Sequence, residues 1–110
     1  MWHMTAADFR KLALSFPDAI EASHMGHPDF RARGKIFATF PKPDEKVGMI
    51  KLTPEQQAMF VKDEPAMFEP VPGGWGRNGS TLVQLKAAKV TVVRRAMEQA
   101  WTNVAVKKKK

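Results

Sequence analysis

The chain has 110 residues, of which 44% are hydrophobic, and a formal net charge of +7; this length fits one domain with one modest core. Cysteine is absent, which excludes disulfides, thiolate nucleophiles and cysteine-ligated metals. No apolar run approaches the roughly 20 residues that span a bilayer and no signal-peptide pattern opens the sequence, so we expect a soluble, cytoplasmic, monomeric protein without membrane contact.

A helix is predicted near the N-terminus. Thr5 and Asp8 have the spacing of a capping box, and apolar residues then recur on one helical face: Phe9, Leu12, Ala13 and Phe16. Pro17 ends this helix, because proline cannot continue the helical hydrogen bonding.

Residues 19–52 change to short β-prone runs. Arg33-Gly34 predicts a two-residue hairpin turn, which would place Phe30 opposite Phe37 and Arg31 opposite Ile36. A second reversal is predicted at 41–44 and a further strand at 47–52.

A second helix is predicted to begin at Thr53-Pro54-Glu55-Gln56, which combines an N-cap, a proline at the first helical position and a returning glutamine. It should end near Lys62, and Asp63-Glu64-Pro65 favours one further helical turn through Phe68. Residues 70–79 are too rich in proline and glycine for a regular element.

The C-terminal part predicts a strand over 80–85, a turn at 86–89 and a helix that ends near Val104. The buried stripe of that helix is predicted from three- and four-residue spacing: Val90, Val93, Met97, Trp101 and Val104. The predicted fold class is α+β, with an antiparallel sheet flanked by N-terminal and C-terminal helices. We expect one domain over 1–106 and a flexible lysine tail over 107–110.

The sequence contains only weak matches to cofactor-binding, metal-binding or catalytic motifs. Residues 74–79 fit G-x-G-x-x-G by letter, but a strand is predicted to follow where a dinucleotide site needs a helix. His24, His27 and Asp29 are metal-ligand types, but residues three apart on a strand point to opposite faces unless Met25-Gly26 bends the chain. We therefore expect no enzyme, no cofactor and no metal.

Positive charge is concentrated in the C-terminal part of the chain. Residues 70–110 contain nine Lys or Arg against one acid, whereas residues 1–69 contain nine against ten. Such an excess indicates a polyanionic partner, because an ordinary soluble surface mixes both signs.

Four stretches of the sequence resemble the MmcQ/YjbR-like family: Ser15-Phe16-Pro17, Pro28-Asp29-Phe30-Arg31-Ala32-Arg33-Gly34-Lys35-Ile36-Phe37-Ala38, Gly73-Gly74-Trp75-Gly76, and Ala100-Trp101-Thr102-Asn103-Val104-Ala105. The resemblance implies a compact α+β fold similar to the CyaY-like arrangement, with two projecting hairpin wings and a role in DNA binding. It places one wing at 31–35 and the second at 75–79.

The leading hypothesis is a nonenzymatic nucleic-acid-binding protein, with DNA as the expected polymer and mostly phosphate contacts. Its predicted contact residues are Arg31, Arg33, Lys35, Trp75, Arg77, Asn78, Lys86, Arg94 and Arg95. The alternative is a protein-interaction or small-ligand module that uses a groove between the sheet and the C-terminal helix. A closed apolar pocket beside Trp75 would favour the alternative, and a continuous positive face would favour nucleic acid.

Overall fold

The computed structural model describes residues 4–106. Its helices are α1 (Ala6–Leu14), α2 (Pro54–Asp63), α3 (Gly74–Arg77) and α4 (Val90–Ala105), the last preceded by a 3-10 turn at Leu85–Ala87. Its strands are β1 (Ala19–His24), β2 (His27–Ala32), β3 (Lys35–Thr39), β4 (Val47–Lys51), β5 (Phe68–Pro70) and β6 (Ser80–Gln84). Within the described residues these strands form one antiparallel sheet in the order β1-β2-β3-β4-β6-β5, which confirms the predicted α+β class.

The first two helices begin as predicted. The Thr5 hydroxyl accepts a hydrogen bond from the Asp8 amide at 3.1 Å, and the Asp8 carboxylate accepts one from the Thr5 amide at 3.0 Å. Thr53 and Gln56 repeat this reciprocal capping box at 3.2 and 2.9 Å. Each box provides partners for backbone amides that a helix start leaves unpaired.

Helices α1, α2 and α4 all pack on one face of the sheet. The Phe9 ring of α1 lies 6.3 Å from Phe30 and 5.1 Å from Phe40, and the Phe60 ring of α2 lies 5.4 Å from Phe68. The phenylalanines other than Phe60 in these pairs are fully buried. Within the described residues, no helix covers the opposite face of the sheet except the short α3 at its border.

Helix α4 is rotated slightly from its predicted orientation. Val93 and Met97 of the predicted stripe are buried, and Trp101 and Val104 pack against the core as half-buried residues. Val90 is exposed, which corrects the prediction. The buried face is completed by small side chains that let the helix lie close to the sheet: Val92, Ala96 and Ala100.

The predicted turn at Arg33-Gly34 is confirmed, with positive φ at both residues (54° and 82°), as a type I′ hairpin turn requires. Arg31 lies opposite Ile36 as expected. Phe30, however, lies opposite Ala38, because a β-bulge leaves Phe37 as an extra residue on β3. The bulge lets both phenylalanines reach the core.

A second tight hairpin joins β1 to β2. Met25 and Gly26 have φ of 50° and 81° and form its turn, so His24 and His27 become cross-strand partners on one face. The bend at Met25-Gly26 thus meets the condition under which two imidazoles three residues apart can share a face.

The segment between α2 and β6 differs in part from its prediction. Residues 64–68 form the predicted single turn, because the Glu64 carbonyl oxygen accepts hydrogen bonds from the amides of Met67 and Phe68 at 3.0 Å. Phe68 also begins β5, which pairs with β6. Gly74–Arg77 forms the single turn of α3 inside a stretch predicted to have no regular element. Local proline content disfavours β5, and pairing with β6 outweighs it.

None of the helices within residues 4–106 has the length and apolar character to cross a membrane.

We predict that Gly76→Ala destabilises the fold by about 1–3 kcal/mol, because a Cβ at this position would overlap the Val71 carbonyl oxygen. Gly74→Ala, two residues earlier in the same helix, would place its Cβ 3.7 Å from the nearest Arg77 atom and should change stability by less than about 0.5 kcal/mol. Urea unfolding of both variants measures the difference. Equal effects would contradict the tight approach of α3 to Val71.

Candidate functional site

The uncovered sheet face, called the open face here, carries a groove. Strand register places one set of alternate side chains on this face. The groove has a cavity volume of about 370 Å³ and its floor and walls come from four strands and the segment around α3. Its lining residues are His24, His27, Ile36, Thr39, Pro41, Met49, Lys51, Val71 and Trp75. Most of these are apolar, and none of the described lining residues is acidic.

Trp75 forms one end of the groove. Its side chain is 65% exposed, and the Lys51 ammonium lies 5.6 Å from the centre of its ring. A cation within about 6 Å of an indole face is attracted by the ring quadrupole. An exposed aromatic surface and a positive charge therefore stand together at this end.

A buried carboxylate organises the other end. Asp29 has no exposed side-chain surface, and its two oxygens accept hydrogen bonds from Arg31 Nε at 2.7 Å and Nη2 at 3.1 Å. His24 Nδ1 lies 2.7 Å from Asp29 Oδ2. Because an ionised carboxylate only accepts hydrogen bonds, His24 Nδ1 is the donor in this contact.

This network shifts two titrating groups. The Arg31 hydrogen bonds are the largest influence on Asp29 and, with the His24 contact, hold its pKa below the ordinary 3.8, although burial opposes them. The same carboxylate raises the pKa of Arg31. Both groups are therefore charged across the physiological range.

His24 lies near both His27 and Asp29. The His27 ring centre lies 5.8 Å from the His24 ring centre, while the Asp29 oxygens face Arg31 and His24. Within residues 4–106, no group of three or more histidine, aspartate or glutamate side chains is placed to hold a metal ion.

Five predicted contact residues lie around the Arg33 end of the sheet. The Arg33-Gly34 turn lies at this end, and β6 begins here, because Ser80 pairs with Lys51. Helix α3 directly precedes β6, and its Trp75 lines the groove together with Ile36 of the first hairpin. The residues grouped at this end are Arg33, Lys35, Trp75, Arg77 and Asn78.

Three of the other predicted contact residues are separated from that end. Lys86 lines a cavity at the opposite end of the sheet, together with Asp44 and Glu45. Arg94 and Arg95 are exposed on α4, which covers the face opposite the groove. Arg31 lies beside the Arg33-Gly34 turn, opposite Ile36, but its guanidinium is bound by Asp29. The structure thus places three of the nine residues away from the Arg33 end, and the sixth residue near that end, Arg31, is engaged by Asp29.

Sequence reasoning missed Lys51 and Met49 as groove residues. Strand β4 alternates between Gly48 and Ile50, which are buried, and Val47, Met49 and Lys51, which are half-buried. This period of two was visible in the sequence and assigns Lys51 to the face opposite the core. Its meeting with Trp75 needed the tertiary structure.

We predict that Asp29→Asn lowers the free energy of unfolding by about 1.5–3 kcal/mol at neutral pH, because the buried charged hydrogen bonds to Arg31 are lost. Because the pKa of Asp29 is lower in the folded state, its ionised carboxylate stabilises the fold above the ordinary pKa of 3.8. This stabilisation is lost as the pH falls through the folded-state pKa. The gap between wild type and variant should stay constant above about pH 5 and close below 3.8. Chemical denaturation from pH 3 to 7 tests this.

Glu21→Gln is the matched carboxylate-to-amide control. Glu21 pairs with Arg10 at 3.1 Å with about a third of each side chain exposed, so its removal should cost less than about 1 kcal/mol. A pH-independent gap for Asp29→Asn would contradict the ion network.

Comparisons with known proteins agree with this fold. The YjbR family model matches residues 14–103, from the end of α1 to the last turns of α4. The crystal structure of protein DR2400 from Deinococcus radiodurans, described as a DUF419 domain, is similar with a TM-score of 0.73 and 14% identity, over 92% of this chain and 78% of that one. Comparison with curated proteins gives no match. The family resemblance first read from the sequence is confirmed, and the chain belongs to the YjbR family.

Proposed function

We propose that this protein is a nonenzymatic nucleic-acid-binding module, with DNA as its polymer, that contacts its ligand at the Arg33 end of the sheet. The proposal depends on one observation: the exposed Trp75 indole lies at the same end of the sheet as basic side chains that form no ion pair among the described residues. Arg33, Lys35 and Arg77 are exposed and make no ion pair within residues 4–106.

Unpaired cations at one place favour a phosphate backbone as the partner. Lys and Arg side chains release condensed counterions when they neutralise phosphates, and this term supplies sequence-independent affinity. Asn78 adds an amide next to Arg77, suited to a phosphate or sugar hydrogen bond. Helix α4 also ends near this region, since Asn103 donates to the Lys51 carbonyl oxygen at 3.4 Å. The lysines at 107–110 follow that helix directly and lie outside the described residues.

The remaining cations do not join this surface. Arg94 and Arg95 lie in the first half of α4, on the face opposite the groove, and Lys86 lines a cavity with two acidic residues at the other end of the sheet. We therefore propose that Lys86, Arg94 and Arg95 serve the general charge of the surface, and that Arg31 holds the open face in shape through Asp29.

A small-ligand function is the second candidate, and the groove beside Trp75 favours it. The groove lies on the open face, whereas the space between the sheet and α4 is filled by Val93, Ala96, Met97 and Ala100. A volume near 370 Å³ falls at the lower end of the roughly 300–1,000 Å³ of ligand pockets. This candidate requires no polymer.

We predict that the triple change Arg33→Gln, Lys35→Gln and Arg77→Gln weakens duplex DNA binding and makes the dependence of log K on log salt shallower by about 2.7, at about 0.9 per phosphate. Fluorescence anisotropy with a labelled duplex between 50 and 200 mM salt measures both. Residues 107–110 should be changed to serine in every protein compared, because four lysines alone can supply a slope of about −3.6.

The matched control removes the same number of charges elsewhere: Lys86→Gln, Arg94→Gln and Arg95→Gln. Its salt slope should stay within about 0.5 of the parent, because these residues lie away from the Arg33 end. Equal slopes for the two triple variants would overturn the assignment of the contact surface. Absence of salt-dependent binding in the full-length parent would overturn the proposed function.

We also predict that bound nucleic acid stays intact. End-labelled single-stranded RNA and DNA incubated with the full-length protein should show no cleavage on denaturing gels, because Asp29 is engaged by Arg31 and His24. Cleavage that disappears in His24→Ala and His27→Ala variants would contradict the nonenzymatic function.

A further inference from the structure

We infer that the groove on the open face receives an unpaired nucleobase, so that the preferred ligand of this protein is single-stranded nucleic acid. The inference rests on the proposed function and deepens it, since cations at the Arg33 end do not distinguish one strand from two. Its basis is the composition of the groove, which combines an exposed indole, apolar walls and cations.

The groove suits a flat aromatic ring. Ile36, Met49 and Val71 provide apolar walls beside the Trp75 indole, within a cavity of about 370 Å³. Bases stack on aromatic side chains whatever their sequence, because every base presents a π-face. Within a duplex those faces are covered by neighbouring base pairs and the grooves offer only base edges. Trp75 can therefore add stacking affinity only for a base that is unpaired.

The polar side chains of the groove suit the phosphates on either side of that base. The Lys51 ammonium lies 5.6 Å from the Trp75 ring centre, and the His24 and His27 imidazoles line the other end. The Asp29 carboxylate beside His24 is buried and neutralised by Arg31, so it presents no repelling charge. The strand would continue from this groove toward Arg33, Lys35 and Arg77 at the same end as Trp75.

The test compares three labelled probes on the full-length protein by fluorescence anisotropy: a 12-nucleotide thymidine strand, an abasic strand with the same number of phosphates, and a 12-base-pair duplex. Trp75→Ala should weaken binding of the thymidine strand by roughly 5- to 150-fold, the range for loss of one stacked base, and leave the other two probes within about twofold. The wild-type protein should bind the abasic strand as weakly as the Trp75→Ala variant binds thymidine.

Two further variants locate the effect. Trp75→Phe keeps an aromatic face and should retain most of the affinity for the thymidine strand. Lys51→Gln removes the groove cation and should make the single-strand salt slope shallower by about 0.7. Met59→Ala is the matched control, because Met59 is an exposed apolar side chain on α2, which packs on the covered face. It should bind all three probes as wild type does, and thermal unfolding should show each variant folded.

The outcomes separate the two proposals. Equal losses for all three probes in Trp75→Ala, or equal wild-type binding of thymidine and abasic strands, would overturn the base-binding groove while leaving the proposed function in place. If the wild-type protein binds no probe in a salt-dependent way, the proposed function itself is overturned.

Discussion

The packing of three helices on a single face of the sheet is the constraint on which the other features depend. Phe9, Phe30, Phe40 and Phe68 pack on that face, and their buried rings form part of the core that stabilises this small domain. Because side chains alternate along a strand, the neighbours of each buried strand residue point to the other face of the sheet. The open face therefore collects the histidines, Arg31, Met49 and Lys51.

Asp29 fixes the positions of the charged and polar side chains at one end of the open face. A fully buried carboxylate would be costly in isolation, but Arg31 binds both of its oxygens and His24 binds one of them. The network joins residues on β1 and β2 across the hairpin that Met25 and Gly26 close. One side of the groove is thereby held in a defined shape, and the surface left to a ligand is apolar or positive.

The basic residues are more dispersed in the folded protein than their clustering in the linear sequence indicates. The excess of basic residues after position 70 belongs to several separate places: Arg77 stands near Trp75, Lys86 stands beside Asp44 and Glu45, and Arg94 lies on the covered face. A ligand that approaches one face meets only part of that charge. Membership of the YjbR family and the similarity to DR2400 establish the fold, and the function argued above comes from the geometry of the Arg33 end and the groove.

Local sequence determined the features whose energetics are local. The capping boxes at Thr5 and Thr53, the type I′ turn at Arg33-Gly34 and the α+β class follow from hydrogen bonds and backbone preferences within a few residues. Tertiary structure alone decided the bulge at Phe37, the pairing of β5 with β6 and the meeting of Lys51 with Trp75. The β5–β6 pairing and the Lys51–Trp75 contact join separate segments of the chain, and the bulge lets both Phe30 and Phe37 be buried. Core packing decides these features, because shape and area are properties of the assembled sheet rather than of any short stretch.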